Sequence, residues 1–258
     1  MNEATLRLVD THAHLDEIEA VDEALREAGE AGVVAVIAVG QDYESNSVIL
    51  ELAAKHAGMV YPALGLHPWN LAAMDGGQVD RTLHQIESNI EPIAAIGEVG
   101  LDYHKKVRAS VDKDRQQALF RDVLDIARRY DKPVSIHTRY AWKDGFELVR
   151  ASGVGKAVFH WYTGFSSVLR EILAAGYFIS ATPAAEYHDE HRRAVKESPL
   201  ESLLLETDSP VTYGREERFQ AQPRDTLRAL RAVAQVKNVE EATVAEVTTS
   251  NARTLFGL

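Results

Sequence analysis

Asp10-Thr11-His12-Ala13-His14 sets two imidazoles two residues apart, directly after the apolar run Leu6, Leu8 and Val9. Side chains alternate faces along a strand, so positions 10, 12 and 14 share a side and both rings can reach one cation. Neutral imidazole is the commonest metal ligand at cellular pH. A lone His-x-His pair says little, because the spacing arises by chance. Further residues of ligating type recur along the chain: His67 in Gly65-Leu66-His67-Pro68-Trp69, Glu98 in Gly97-Glu98-Val99-Gly100-Leu101-Asp102-Tyr103, then His137, His160 and Asp208.

Whether these meet depends on the elements that carry them. The chain has 258 residues, 45% apolar and 26% charged, an ordinary globular composition. Eight strand-like runs are legible: Leu6–Asp10, Val33–Val39, Met59–Leu66, Ile93–Glu98, Pro133–His137, Ala157–His160, Tyr177–Ser180 and Ser202–Glu206. Amphipathic stretches near 20–31, 43–57, 79–90, 112–130, 142–152, 165–175, 184–197 and 223–237 alternate with them. Eight βα repeats predict an α/β fold, one (β/α)8 TIM barrel over residues 1–258, with an extra C-terminal helix over 240–256. An open doubly wound sheet would need a Gly-rich phosphate turn after the first strand, where Asp10-Thr11-His12 stands instead. Val211–Pro223 reads as a long final loop, either folded over a site or a solvated connection.

A parallel barrel keeps its site at the C-terminal ends of its strands. His12 and His14 follow strand one and His67 follows strand three. Glu98, His137 and His160 end strands four, five and six, and Asp208 follows strand eight. His56 and His84 fall in helical segments as surface residues, while His188 and His191 flank the strand-seven loop within reach of a rim. Singly, each of these residues is explained as well by packing. Together, at one end of the barrel, they read as a metal centre.

Four histidines and two carboxylates exceed one open catalytic zinc, which takes about three protein ligands. Two cations are therefore expected, with Glu98 as bridge, His12, His14 and Asp208 on one ion, and His137 and His160 on the other. This donor set suits Zn, Mn, Ni or Fe; Mg fits less well because it prefers oxygen. Alternation nominates Asp10 and Glu206 as buried acceptors for the second N–H of a ligating imidazole; for Glu206 a buried ion pair is as good a reading. Arg139 shares a face with His137, where it clamps a substrate phosphate or carboxylate or bridges to a site carboxylate. Gly65 and Gly97 thin the backbone near the mouth or serve ordinary packing.

These segments, with Val9-Asp10-Thr11-His12-Ala13-His14-Leu15-Asp16, Ile136-His137-Thr138-Arg139, His160-Trp161-Tyr162-Thr163-Gly164, Glu206-Thr207-Asp208-Ser209-Pro210 and Asn251-Ala252-Arg253-Thr254-Leu255-Phe256-Gly257, resemble the TatD family of metal-dependent hydrolases within the amidohydrolase superfamily. The resemblance runs from residue 9 to 257. It implies a distorted TIM barrel and a dinuclear site with His12, His14, Glu98, His137, His160 and Asp208 as metal ligands. It also implies metal-dependent deoxyribonuclease activity, and some relatives deacylate misacylated tRNA. Three stretches depart from the family pattern. Trp161-Tyr162 follow His160, Gly214–Pro223 carries two acids and no Asn, and His104-Lys105-Lys106 follow Tyr103.

The net charge of -11 argues against broad phosphate-backbone binding, although bound cations make a local site positive. With no cysteine there are no disulfides or thiolate ligands. No apolar run reaches membrane-spanning length and Met1-Asn2-Glu3 begins no signal segment, so a cytoplasmic protein without a membrane or obligate protein partner is expected. Three functions stay open. One is a DNA nuclease, the second a small-molecule ester, lactone or aminoacyl-ester hydrolase, and the third a non-catalytic metal-binding protein. In the first two, Asp208 serves as general base and then acid, and His67 and Arg139 neutralise charge growing on substrate oxygens.

Overall fold

The computed structural model describes residues 6–258; Met1–Glu3, where a signal segment would begin, lie outside them. Eight parallel strands follow one another in chain order around a nearly closed barrel: β1 (Leu8–Ala13), β2 (Val33–Val39), β3 (Val60–Leu64), β4 (Ala95–Asp102), β5 (Val134–Arg139), β6 (Ala157–Phe159), β7 (Phe178–Ala181) and β8 (Leu203–Leu205). Helices α1 (Val21–Glu30), α2 (Tyr43–Lys55), α3 (Gly76–Ser88), α4 (Lys105–Arg108), α5 (Lys113–Arg129), α6 (Trp142–Ser152), α7 (Ser166–Ala174), α8 (Asp189–Glu197), α9 (Thr226–Lys237) and α10 (Glu241–Phe256) run between and after them. Among the described residues no helix is long and apolar enough to cross a membrane.

Strands such as Val33–Val39 are apolar at every position because both faces are buried, one by the helices and one by the barrel interior. Local signals set the helix ends. Asp42 with Ser45 and Asp75 with Gln78 form reciprocal capping boxes at the starts of α2 and α3. Gly153 and Asn238 adopt left-handed conformations that stop α6 and α9. The barrel interior is filled from below. Leu255 and Phe256 of α10 pack with Val9, Ile37, Val158 and Leu204, which leaves the opposite mouth for polar groups.

Closure joins the first strand to the segment after the last. Asp208 N donates to His12 O at 2.8 Å and His14 N donates to Ser209 O at 2.8 Å. Beneath these, the buried Asp10 carboxylate accepts Thr207 N at 2.9 Å and Thr207 Oγ1 at 2.6 Å. Asp10 therefore binds the seam and not the His12 ring, which corrects its expected role. Even alternation fails because the β1–β2 register slips between Leu8 and Val9 and again between Asp10 and Ala13.

β4 runs four residues past the expected end at Glu98. A register shift between Ile96 and Val99 bulges the strand at Gly97-Glu98 and lets pairing resume to Asp102. Glycine is required beside this bulge. A Cβ on Gly65 would sit 2.2 Å from Glu98 N, and one on Gly97 2.6 Å from Ser135 Cβ.

Residues 211–223 are not a plain loop. Val211 continues into β9 (Thr212–Tyr213), which pairs antiparallel with β10 (Phe219–Gln220). Tyr213 is buried against Trp161, with ring centroids 5.3 Å apart. The expected helix over 184–197 is a 3-10 turn, Pro183–Glu186, followed by α8. His191 of α8 is fully buried and not at the rim: its Nδ1–H donates to Tyr162 O at 3.0 Å and its Nε2 accepts Thr182 N at 3.1 Å.

Two outcomes are expected. Gly65→Ala should lose about 1–3 kcal/mol in urea unfolding through overpacking, whereas Gly29→Ala in α1, whose Cβ meets nothing within 4 Å, should be neutral or stabilising. Burial pushes His191 down from 6.5 to about 4, so unfolding takes up a proton between those pH values and stability falls as pH drops through that window, by up to about 3 kcal/mol. His191→Gln should flatten that part of the stability–pH curve; an unchanged slope would remove His191 as its source.

Candidate metal centre

All six expected ligands meet at the open mouth. His12 lies within β1, His137 within β5 and Glu98 in the bulge of β4, so these three are interior strand residues and not strand ends. His14, His160 and Asp208 follow β1, β6 and β8. Asp208 takes a left-handed conformation, φ 49°, which turns its carboxylate back toward β1.

The two oxygens of Glu98 face different imidazole sets. Oε2 lies 3.5 Å from both His12 Nε2 and His14 Nε2. Asp208 Oδ1 lies 3.7 Å and 3.4 Å from the same two nitrogens. Oε1 lies 2.7 Å from His137 Nδ1 and 2.7 Å from His160 Nε2, with these two nitrogens 3.3 Å apart.

Hydrogen bonds on the outer nitrogens aim the inner ones. His12 Nδ1 meets Ser135 Oγ at 3.1 Å, and His14 Nδ1–H donates to Val39 O at 3.0 Å. His160 Nδ1 faces Glu206 Oε1, the residue that alternation nominated, at 3.6 Å, beyond hydrogen-bond distance. That oxygen takes the Trp161 amide at 3.0 Å. Glu206 thus faces an imidazole, and no lysine or arginine.

Three observations test whether divalent cations fit. First, ligand atoms about 2.0–2.2 Å from one tetrahedral ion stand about 3.3–3.6 Å apart, close to the spacing around His12, His14, Asp208 and Glu98 Oε2. Second, His12 Nε2 is buried and has no hydrogen-bond partner. Third, the charge balance calls for cations. Burial would raise the Glu98 carboxyl, but the surrounding imidazoles of His67, His160, His12 and His137 outweigh it and hold it well below the usual carboxylate range. In return His14, despite its burial, is raised to about 9 by Asp208 and Glu98, and His160 is raised well above its ordinary value. Protons here supply positive charge that a divalent cation supplies with neutral rings. The donors are able to hold metal.

His67 and Arg139 both line the mouth; His67 differs from its expected charge, and Arg139 takes the carboxylate-bridging alternative. His67 is 2% exposed, and burial pushes it down to about 4, so it is a neutral ring and not a cation. Its Nδ1 accepts Trp69 N at 3.1 Å, leaving Nε2 to point at Glu98 Oε1, 3.4 Å away. Arg139 lies with Nε 2.9 Å from Asp102 Oδ2 and its guanidinium 4.8 Å from the Trp69 ring centre.

Asp102 is the residue the sequence reading left without a role. It is fully buried; Oδ2 accepts Trp69 Nε1 at 2.5 Å and His137 Nε2 at 3.1 Å, and Oδ1 accepts His104 N at 2.8 Å. Burial would raise its carboxyl, but the His137 hydrogen bond and charge hold it far down. It orients His137, Trp69 and Arg139 at once. The signal was its spacing, four residues after Glu98 on the same strand, hidden by ending that strand too early.

The centre opens into a cavity of about 890 Å³ whose lining includes Trp69, Arg139, Tyr140, Trp142, Trp161, Glu17, His188, Glu190 and Gln220.

Comparison with known proteins agrees with this geometry. The sequence profile described as TatD related DNase matches residues 9–257. Deoxyribonuclease TATDN3 of Homo sapiens is 35% identical over 267 residues, covering 99% of this chain and 97% of its own length. The uncharacterized metal-dependent hydrolase TatD of Mycobacterium tuberculosis is 31% identical, covering 97% and 98%. The crystal structure of YJJV, a TatD homolog from Escherichia coli K12, superposes with a TM-score of 0.88 at 26% identity over 98% of this chain and 99% of that one. Interior glutamate, ringed histidines and matched length point one way, and the chain belongs to the TatD family.

Proposed function

We propose that the protein is a dinuclear metal-dependent hydrolase that cleaves phosphodiester bonds of DNA. The observation carrying this reading is the division of Glu98, whose two oxygens serve different imidazole sets. His12, His14, Asp208 and Glu98 would hold one cation; Glu98, His137 and His160 would hold the other. Imidazole-rich ligation favours Zn, Mn or Ni over Mg. Bound divalent cations lower the pKa of water toward ~7 and polarise a phosphoryl or carbonyl oxygen.

The chain's own groups do the rest. Asp208, held below its ordinary pKa against burial by the His14 hydrogen bond and neighbouring imidazoles, is ionised and takes the proton of the attacking water, then returns it to the leaving oxygen. Neutral His67, its Nδ1 accepting the Trp69 amide, turns its one N–H toward Glu98 and brings no charge to the substrate. Arg139, 37% exposed at its side chain, offers the guanidinium that faces an incoming phosphate. Asp102 holds both His137 and Arg139 in register.

A small-ester substrate is the second reading, favoured by Glu17 and Glu190 on the cavity wall, which repel phosphates. Salt separates the two: backbone contacts make binding fall steeply with salt, whereas a small neutral ester does not.

Glu98→Gln and Asp208→Asn should each abolish hydrolysis of single-stranded and duplex DNA by the metal-loaded enzyme, and chelation should do the same reversibly, with Zn or Mn restoring it. Full activity in either variant would sink the assignment. Asp102→Asn should cost about 10–100-fold in metal affinity or kcat, read by calorimetric titration with Zn beside the rate assay.

A further inference from the structure

We propose that an aromatic rim beside the cavity is a stacking subsite for unpaired bases flanking the reacting phosphodiester, with the basic segment around α4 contacting their phosphates. This rests on the DNA-cleaving reading above and assigns the path of the strand away from the centre.

Four rings form a continuous line along one edge of the mouth. His104 and Tyr140 are stacked, with centroids 6.0 Å apart and planes 26° apart. Tyr140 lies 5.7 Å from Trp142, and Trp142 lies 5.3 Å from Phe165. Packing does not explain this line. Tyr140 is 60% exposed and Phe165 64% exposed, so neither ring gains much by burial. Tyr140 also sits at φ 56°, a left-handed conformation unfavourable for a side chain of its kind. An outward ring on an unfavourable backbone serves something outside the protein. Single-stranded nucleic acid is recognised by aromatic faces, because every base has a π-face to stack.

Two independent features point to the same occupant. The indole N–H groups of Trp142 and Trp161, which line the cavity, find no acceptor in the protein; bases and phosphates are rich in acceptors. Charge is also concentrated beside the aromatic line. Residues 103–115 hold five basic residues and two acidic ones in a chain of net charge -11. Lys105, Lys106 and Arg108 of α4 are exposed directly after His104. Glu17 and Glu190 are the acidic residues of the cavity lining outside the centre itself. A polyanion is drawn toward the basic segment that adjoins the aromatic line at His104.

The test measures binding of the metal-loaded enzyme to two fluorescent phosphorothioate hexamers, one of thymidylates and one of abasic tetrahydrofuran units. Wild type should bind the base-bearing hexamer about tenfold or more tighter. The exposed-site variant Tyr140→Ala/Phe165→Ala should bring that ratio close to one, and Tyr140→Phe should keep it. Lys105→Ala/Lys106→Ala should weaken both hexamers alike and reduce the salt slope of log Kd by about 1.4. A wild-type ratio near one, or a ratio unchanged in the double alanine variant, overturns the subsite. A dimer abolished by Phe165→Ala, with hexamer binding unmoved, would make the rim a protein contact and overturn it as well. DNA cleavage with an unmoved ratio sinks the subsite alone. Cleavage of small esters but of no DNA sinks the nuclease reading and the subsite with it.

Discussion

The buried Asp10 carboxylate, gripping Thr207 through both its amide and its hydroxyl, is the contact on which the centre depends. It ties the first strand to the turn after the eighth and carries Asp208 to within 3.4 Å of His14. A carboxylate this deep is costly unless satisfied. Burial pushes it up to about 8, against hydrogen bonds from Thr207 and His12. The arrangement is therefore sensitive to the seam's geometry. If Thr207 shifts, Asp10 loses its partners and Asp208 leaves the imidazoles together.

From that closure the electrostatics follow. Glu98, Asp102, Glu206 and Asp208 are all buried at one end of the barrel, too much negative charge for a dry interior. Two kinds of group answer it: imidazoles at the centre and the Arg139 guanidinium at the edge. The apolar filling supplied from below by α10 leaves no other place for these groups. Polar residues collect at the upper mouth because the lower one is plugged.

Much of this was legible in the sequence, for particular reasons. Apolar runs spaced by amphipathic stretches marked eight strands within a few residues, since strands covered on both faces read as near-continuous apolar runs. The convergence of His12, His14, Glu98, His137, His160 and Asp208 was legible because ligating types clustered at one end of successive repeats. What escaped were features set by register. The slips in β1 and the bulge in β4 break period-2 alternation, so Asp10 was assigned to a ring it does not touch and Asp102 was left without a role. His67 was read as a charge because burial, which keeps it neutral, is a property of the assembled barrel. His191 likewise carries no local sign that a carbonyl and an amide wait for its two nitrogens.

The plug has a consequence for how the protein is made. The seam joins residues 197 apart in sequence, and Leu255 and Phe256 complete the interior. Contacts this distant form late, because a long stretch of chain must be ordered before they are gained. During synthesis, then, His12 and His14 emerge long before Asp208, whose carboxylate meets both rings in the folded barrel. Until α10 folds onto the barrel, the inward apolar side chains of Val9 and Ile37 lack their cover.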